Sequence, residues 1–105
     1  MNKERWVILL MYDLPSKNGQ ENKRATTFMK SIRRIGYIRL QKSVYIKLLR
    51  NKNMVRSEIS KLKYLDMNTG NIKALPMRLY DFNRIVSISG DQFEMSDFSD
   101  DVAVM

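Results

Sequence analysis

Apolar and polar positions alternate with a period that changes several times along the chain. Arg5–Tyr12 is continuously apolar after Arg5 and built of large side chains, which predicts a strand buried on both faces and central in its sheet. Asp13-Leu14-Pro15-Ser16 breaks it, and Lys17-Asn18-Gly19-Gln20 continues as a polar loop. From Glu21 the spacing becomes helical: Ala25, Phe28, Met29, Ile32 and Ile35 share one face while Lys23, Lys30 and Arg34 lie along another. Gly36 supplies the stop, because it tolerates the left-handed backbone that follows a helix C-terminus, and Arg33 and Arg34 suit the negative end of the dipole.

Tyr37–Gln41 and Ser43–Arg50 then read as a tight hairpin, with Val44, Ile46 and Leu48 alternating with Tyr45, Lys47 and Leu49. Asn53 is the expected N-cap of a second helix running to about Leu65, with Val55, Ile59, Leu62 and Leu65 as its core stripe. On that helix Lys52, Arg56, Lys61 and Lys63 face solvent. A loop at 66–71 leads to a strand over Ile72–Leu79, which Pro76 confines to a sheet edge or a bulge. Tyr80–Arg84 is compatible with one helical turn, and Ile85–Ser89 alternates as a short last strand.

The order strand, helix, strand, strand, helix, strand predicts an α+β, ferredoxin-like βαββαβ domain over residues 1–90, with an additional short C-terminal strand. Both helices then cover one sheet face. The other would leave Leu and Met in water, so a homodimer packed sheet to sheet is expected.

Charge separates the chain further. Residues 1–90 hold all 19 bases and six acids, for +13, whereas 91–105 hold five acids and no base. A body this basic attracts polyanions, nucleic acid first among them, and the acidic tail is expected to dock a partner through Val102, Ala103 and Val104. With no Cys and no His there is no thiol nucleophile, no Ser-His-Asp triad and no zinc site of the Cys/His kind. Hard, oxygen-seeking cations such as Mg2+ or Mn2+ are the metals this composition invites. The apolar run Trp6–Tyr12 is far shorter than the ~20 residues of a spanning helix, so a cytoplasmic location and no membrane partner are expected.

Val7-Ile8-Leu9-Leu10-Met11-Tyr12-Asp13-Leu14-Pro15 resembles the opening of the CRISPR-associated protein two family, the small subunit of the spacer-acquisition complex. Gln41–Leu49 looks like its hairpin strand, and Gly70-Asn71-Ile72 with the apolar run that follows is similar to its fourth strand in type II systems. The resemblance implies a homodimer that bridges pairs of the CRISPR integrase subunit and holds a short double-stranded DNA on its basic surface. It also implies a metal-dependent endonuclease, with Mg2+ (or Mn2+) bound between subunits by paired first-strand aspartates; toxin-type ribonucleases share the fold.

Asp13 is the residue carried over to that metal and catalytic role. Its structural alternative is an Asx-type cap on the turn before Pro15. One carboxylate cannot complete a hard-cation site, so two Asp13 side chains must meet across a twofold axis. Candidate phosphate contacts are Lys17 and Asn18 in the first loop, Lys23, Arg24, Lys30 and Arg34 on the first helix, and Arg78 and Arg84 near the last strands. Trp6, Tyr12, Phe28 and Tyr45 read as structural, and Tyr37 and Tyr80 as core or dimer contacts rather than as a base-stacking platform.

Overall fold

Strand β1, Trp6–Asp13, is the axis on which the domain is built. The computed structural model describes residues 4–14, 18–66 and 70–90. Helix α1 spans Gly19–Arg34, β2 Ile38–Gln41, β3 Val44–Leu49, α2 Val55–Leu65, β4 Asn71–Arg78 and the short α3 Leu79–Phe82. The strands form one antiparallel sheet in the order β2-β3-β1-β4, the ferredoxin-like arrangement. β1 is central, as its unbroken apolar run requires.

Because side chains alternate across a strand, β1 serves two cores. Ile8 and Leu10, with Tyr45 and Leu49 of β3, meet Phe28 and Ile32 of α1 and Leu62 of α2 on the helix-covered face. Val7 points the other way and packs with Ile46, Leu48 and Phe82. Helix α3 thus covers one end of the face expected to be bare: Phe82 is buried there, whereas Met11 and Leu75 are 38% and 49% exposed.

Local signals were mostly obeyed. Gly36 has φ 107°, the left-handed stop predicted for it. Pro76 lies on edge strand β4 opposite Ile8. Leu79 N–H donates to the Arg5 carbonyl at 2.8 Å, which makes Pro76–Ile8 a non-hydrogen-bonded pair and turns the proline nitrogen away from β1. The hairpin turns through Lys42 and Ser43, where Ser43 adopts φ 64°, and a register shift between Arg39 and Gln41 marks a bulge in β2.

Three expectations are corrected. Helix α1 starts two residues before Glu21, because the Asn18 side chain accepts the Glu21 N–H at 2.9 Å and caps it. Asn53 is not a cap: Lys52–Met54 form a single 3-10 turn that runs into α2 at Val55. Ile85–Ser89 is not a strand. Neither sheet edge pairs with it, and the Ser87 hydroxyl donates to the carbonyls of Ser89 and Gly90 at 3.0 and 3.3 Å, closing a local turn instead. Val86 and Ile88 consequently stand 69% and 93% exposed.

Candidate functional site

Asp13 ends β1 directly opposite Asn71, the first residue of β4. Alternation puts both on the open sheet face with Met11 and Lys73, and both are exposed. Their pair is of the hydrogen-bonded kind, with Cα atoms about 5.5 Å apart. Met11, Tyr12, Asp13, Asn71 and Lys73 enclose a shallow cavity of about 230 Å³. The carboxylate therefore sits at the rim of an apolar surface made by Leu9, Met11, Val44 and Leu75, held by a strand pinned on both sides.

Among the described residues no three acidic side chains gather into a metal site. A magnesium-sized ion is ordinarily held by one or two carboxylates with waters and substrate phosphates, so Asp13 fits such an ion as one ligand, with Asn71 at the paired strand position lining the same cavity. The described residues of one chain offer no acidic cluster beyond that.

Behind Asp13, Tyr12 faces the helices. Its ring stacks on Tyr45 at 5.9 Å and meets Phe28 edge-on at 5.9 Å. Arg33 of α1 donates from Nη2 to the Tyr45 hydroxyl at 2.9 Å and lies 5.7 Å over its ring. Burial, then the neighbouring Tyr45 phenol, pushes the Tyr12 hydroxyl up to about 12, against the pull of Arg33 and Arg39. Burial and the charge of Glu58 hold the Tyr37 phenol higher still. Both shifts favour the neutral phenol in the fold, so their stabilisation is complete below pH 10 and is lost above it, that of Tyr12 as pH rises through about 12 and that of Tyr37 at higher pH still. Phenolate absorbance is expected to climb well beyond pH 10 and to coincide with loss of circular dichroism there; a titration finished near pH 10 with the fold intact would contradict this packing.

The candidate phosphate contacts do not converge. Lys23, Arg24, Lys30 and Arg34 are all exposed on α1, with Lys23, Lys30 and Arg34 one above another. Arg84 is exposed just beyond α3. Arg78 lies at the opposite end of the sheet from Asp13 and is already engaged: it donates to both Asp81 carboxylate oxygens at 2.9 and 3.3 Å, with Glu4 3.7 Å away. These carboxylates, Asp81 foremost, hold its guanidinium above its ordinary value. Asn18 spends its side-chain oxygen on the helix cap. Lys17 and the tail residues Val102, Ala103 and Val104 lie outside the described residues.

Two features escaped the sequence reading. Lys47 and Glu58 are each 2% exposed and form an ion pair at 3.1 Å between β3 and α2. Tyr64, 89% exposed on α2, is the most exposed aromatic ring among the described residues, whereas Tyr37 is buried. The signal for the ion pair was present, since Glu58 falls on the Val55–Leu62 stripe and Lys47 shares a strand face with Tyr45 and Leu49.

Sheet order, the two helices on one face and a lone carboxylate at the end of the first strand define a small ferredoxin-like protein of basic surface. Residues 5–85 match the family described as CRISPR associated protein Cas2. A protein from Campylobacter jejuni named CRISPR-associated endoribonuclease Cas2 is 31% identical over 79% of this chain, which spans 58% of that relative. One of the same name from Streptococcus mutans is 33% identical over 81% of this chain and 79% of the relative. The chain belongs to the Cas2 family. None of the helices among the described residues is long and apolar enough to cross a membrane.

Proposed function

We propose that the chain acts as a homodimeric scaffold in CRISPR spacer acquisition, holding double-stranded DNA on its basic surface and bridging integrase subunits. The observation that carries this reading is the apolar sheet surface beside α3, where Met11 and Leu75 are exposed and Leu9 and Val44 only half-buried, ending at Asp13. An uncovered patch of this kind on a basic domain calls for a second copy, and pairing across it sets the two Asp13 carboxylates about one axis. The bases of α1 then line both halves of the assembly, and contacts to phosphate without base readout suit a subunit that must accept any DNA sequence. The acidic stretch after Gly90, with Val102, Ala103 and Val104, is assigned to the integrase rather than to DNA.

Sedimentation tests the scaffold. The native chain is expected at twice its 12.4 kDa mass, and to shift to one defined larger species with a short DNA duplex. Leu75→Asp is expected to give monomers that no longer hold the duplex. A native monomer, or a Leu75→Asp dimer, would overturn the reading.

A second reading, favoured by the placement of Asp13 beside Asn71, is a Mg2+- or Mn2+-dependent endoribonuclease. In that reading paired Asp13 side chains would hold the cation, nearby bases such as Lys73 would orient the phosphodiester, and the chemistry the bound cation would supply is activation of water. The names of the relatives support it.

A further inference from the structure

Helix α2 and the 3-10 turn before it lie on the helix-covered side of the sheet, away from the proposed dimer surface, and every charged residue exposed between Lys52 and Leu65 is basic. Lys52, Arg56, Lys61 and Lys63 are all exposed. The one acid between Lys52 and Leu65, Glu58, is buried against Lys47; Lys61 lies 3.8 Å from it with its side chain 56% exposed to solvent. Alongside it, between α2 and the end of α1, runs a cavity of about 790 Å³, within the size range of small-ligand sites. Ile35 and Leu65, both half-buried, give it an apolar floor; Arg56, Lys61 and Tyr64 stand on its walls.

Arg56, Lys61 and Tyr64 all line this groove, Arg56 about two turns before Tyr64 and Lys61 about one, so cations lie on either side of the ring around the helix. The Tyr64 ring, at 89% exposure, serves no core. Tyr80, the other exposed tyrosine among the described residues, already has the Arg78 guanidinium 5.7 Å over its ring.

We propose that this groove binds single-stranded nucleic acid, one base laid on Tyr64 over the Ile35–Leu65 floor and the adjoining phosphates on Arg56 and Lys61. A base is the occupant that uses all three elements at once: a flat apolar face for the ring, an apolar floor, and an anion on each side. An acidic peptide would use the cations and leave Tyr64 idle. A duplex would keep its bases stacked inside and reach only the charges. The site borders the α1 bases proposed for duplex DNA and uses none of them.

Fluorescence anisotropy with labelled oligothymidylate tests it on the full chain. Tyr64→Ala is expected to weaken binding about tenfold and Tyr64→Phe to restore it. Arg56→Ala with Lys61→Ala is expected to flatten the plot of log affinity against log salt by roughly 1.4. The three variants should keep the melting temperature of the native chain and its affinity for duplex DNA. The assignment is overturned if Tyr64→Ala binds as the native chain does, if an abasic oligonucleotide or polyglutamate binds as tightly as oligothymidylate, or if duplex affinity falls in parallel. A failure of the scaffold reading would show separately, as a native monomer with this binding intact.

Discussion

Glu58→Ala is expected to be the most damaging single substitution in the domain, lowering the melting temperature by on the order of 15 °C or more. The reason is asymmetry. Lys47 Nζ lies 3.1 and 3.2 Å from the two Glu58 oxygens, both residues 2% exposed, and 5.8 Å from the Tyr37 ring centroid. Removing the carboxylate leaves an ammonium sealed between β3 and α2, a loss of about 3–5 kcal/mol against a total stability of roughly 5–15 kcal/mol. Lys47→Ala should cost a similar amount by stranding Glu58; the second cation near it, Lys61 at 3.8 Å, is 56% exposed and too well solvated to compensate. Lys47→Met combined with Glu58→Leu removes both charges at similar volume and is expected to recover most of the loss. Calorimetric melting of the three variants decides the matter. Single variants that melt within a few degrees of the native chain would mean that water reaches the pair.

Asp13→Asn is the second substitution of large effect, and it separates the two functional readings. The side chain keeps its size at an exposed strand end, so fold, dimer and duplex affinity are expected to be unchanged. Any cation-stimulated cleavage of RNA should fall by more than the roughly 10–100-fold that losing an outer-shell partner costs a metal site. Spacer integration in cells is expected to continue, because the scaffold uses Asp13 for no bond. Integration that stops together with cleavage would make the chain an enzyme in its biological role.

Elements were legible in the sequence wherever a period was long and its ends were chemically marked. The Phe28–Ile32 stripe with Gly36 behind it fixed α1, and the unbroken Trp6–Tyr12 run fixed the central strand. Pro76 limited β4 to an edge or a bulge, and the edge is the one the fold uses. Errors came where one residue type serves competing local and tertiary ends. Asn18 was read as a loop contact and is a cap; Asn53 was read as a cap and lies in a 3-10 turn. Ile85–Ser89 has strand composition, yet a strand needs a neighbour, and none of the described strands pairs with it.

The candidate site was legible in part. Asp13 followed from its place at the end of β1, while Asn71 beside it depends on a register that links residues 58 positions apart. The buried pair was hidden by a habit of reading Lys and Glu as surface. Tyr64 was hidden because no period marks an aromatic that helps no core.

Both outer strands of the sheet are poor templates for lateral growth. On β4 Pro76 turns a nitrogen without a hydrogen outward, and on β2 the bulge between Arg39 and Gln41 breaks the ladder. A newcomer strand would find its bonding sites missing or out of step on either flank. Crowded copies of the chain would thus find little purchase at either edge for open-ended cross-β stacking, and the proposed pairing through the face of the sheet is the one contact of the two kinds that closes on itself.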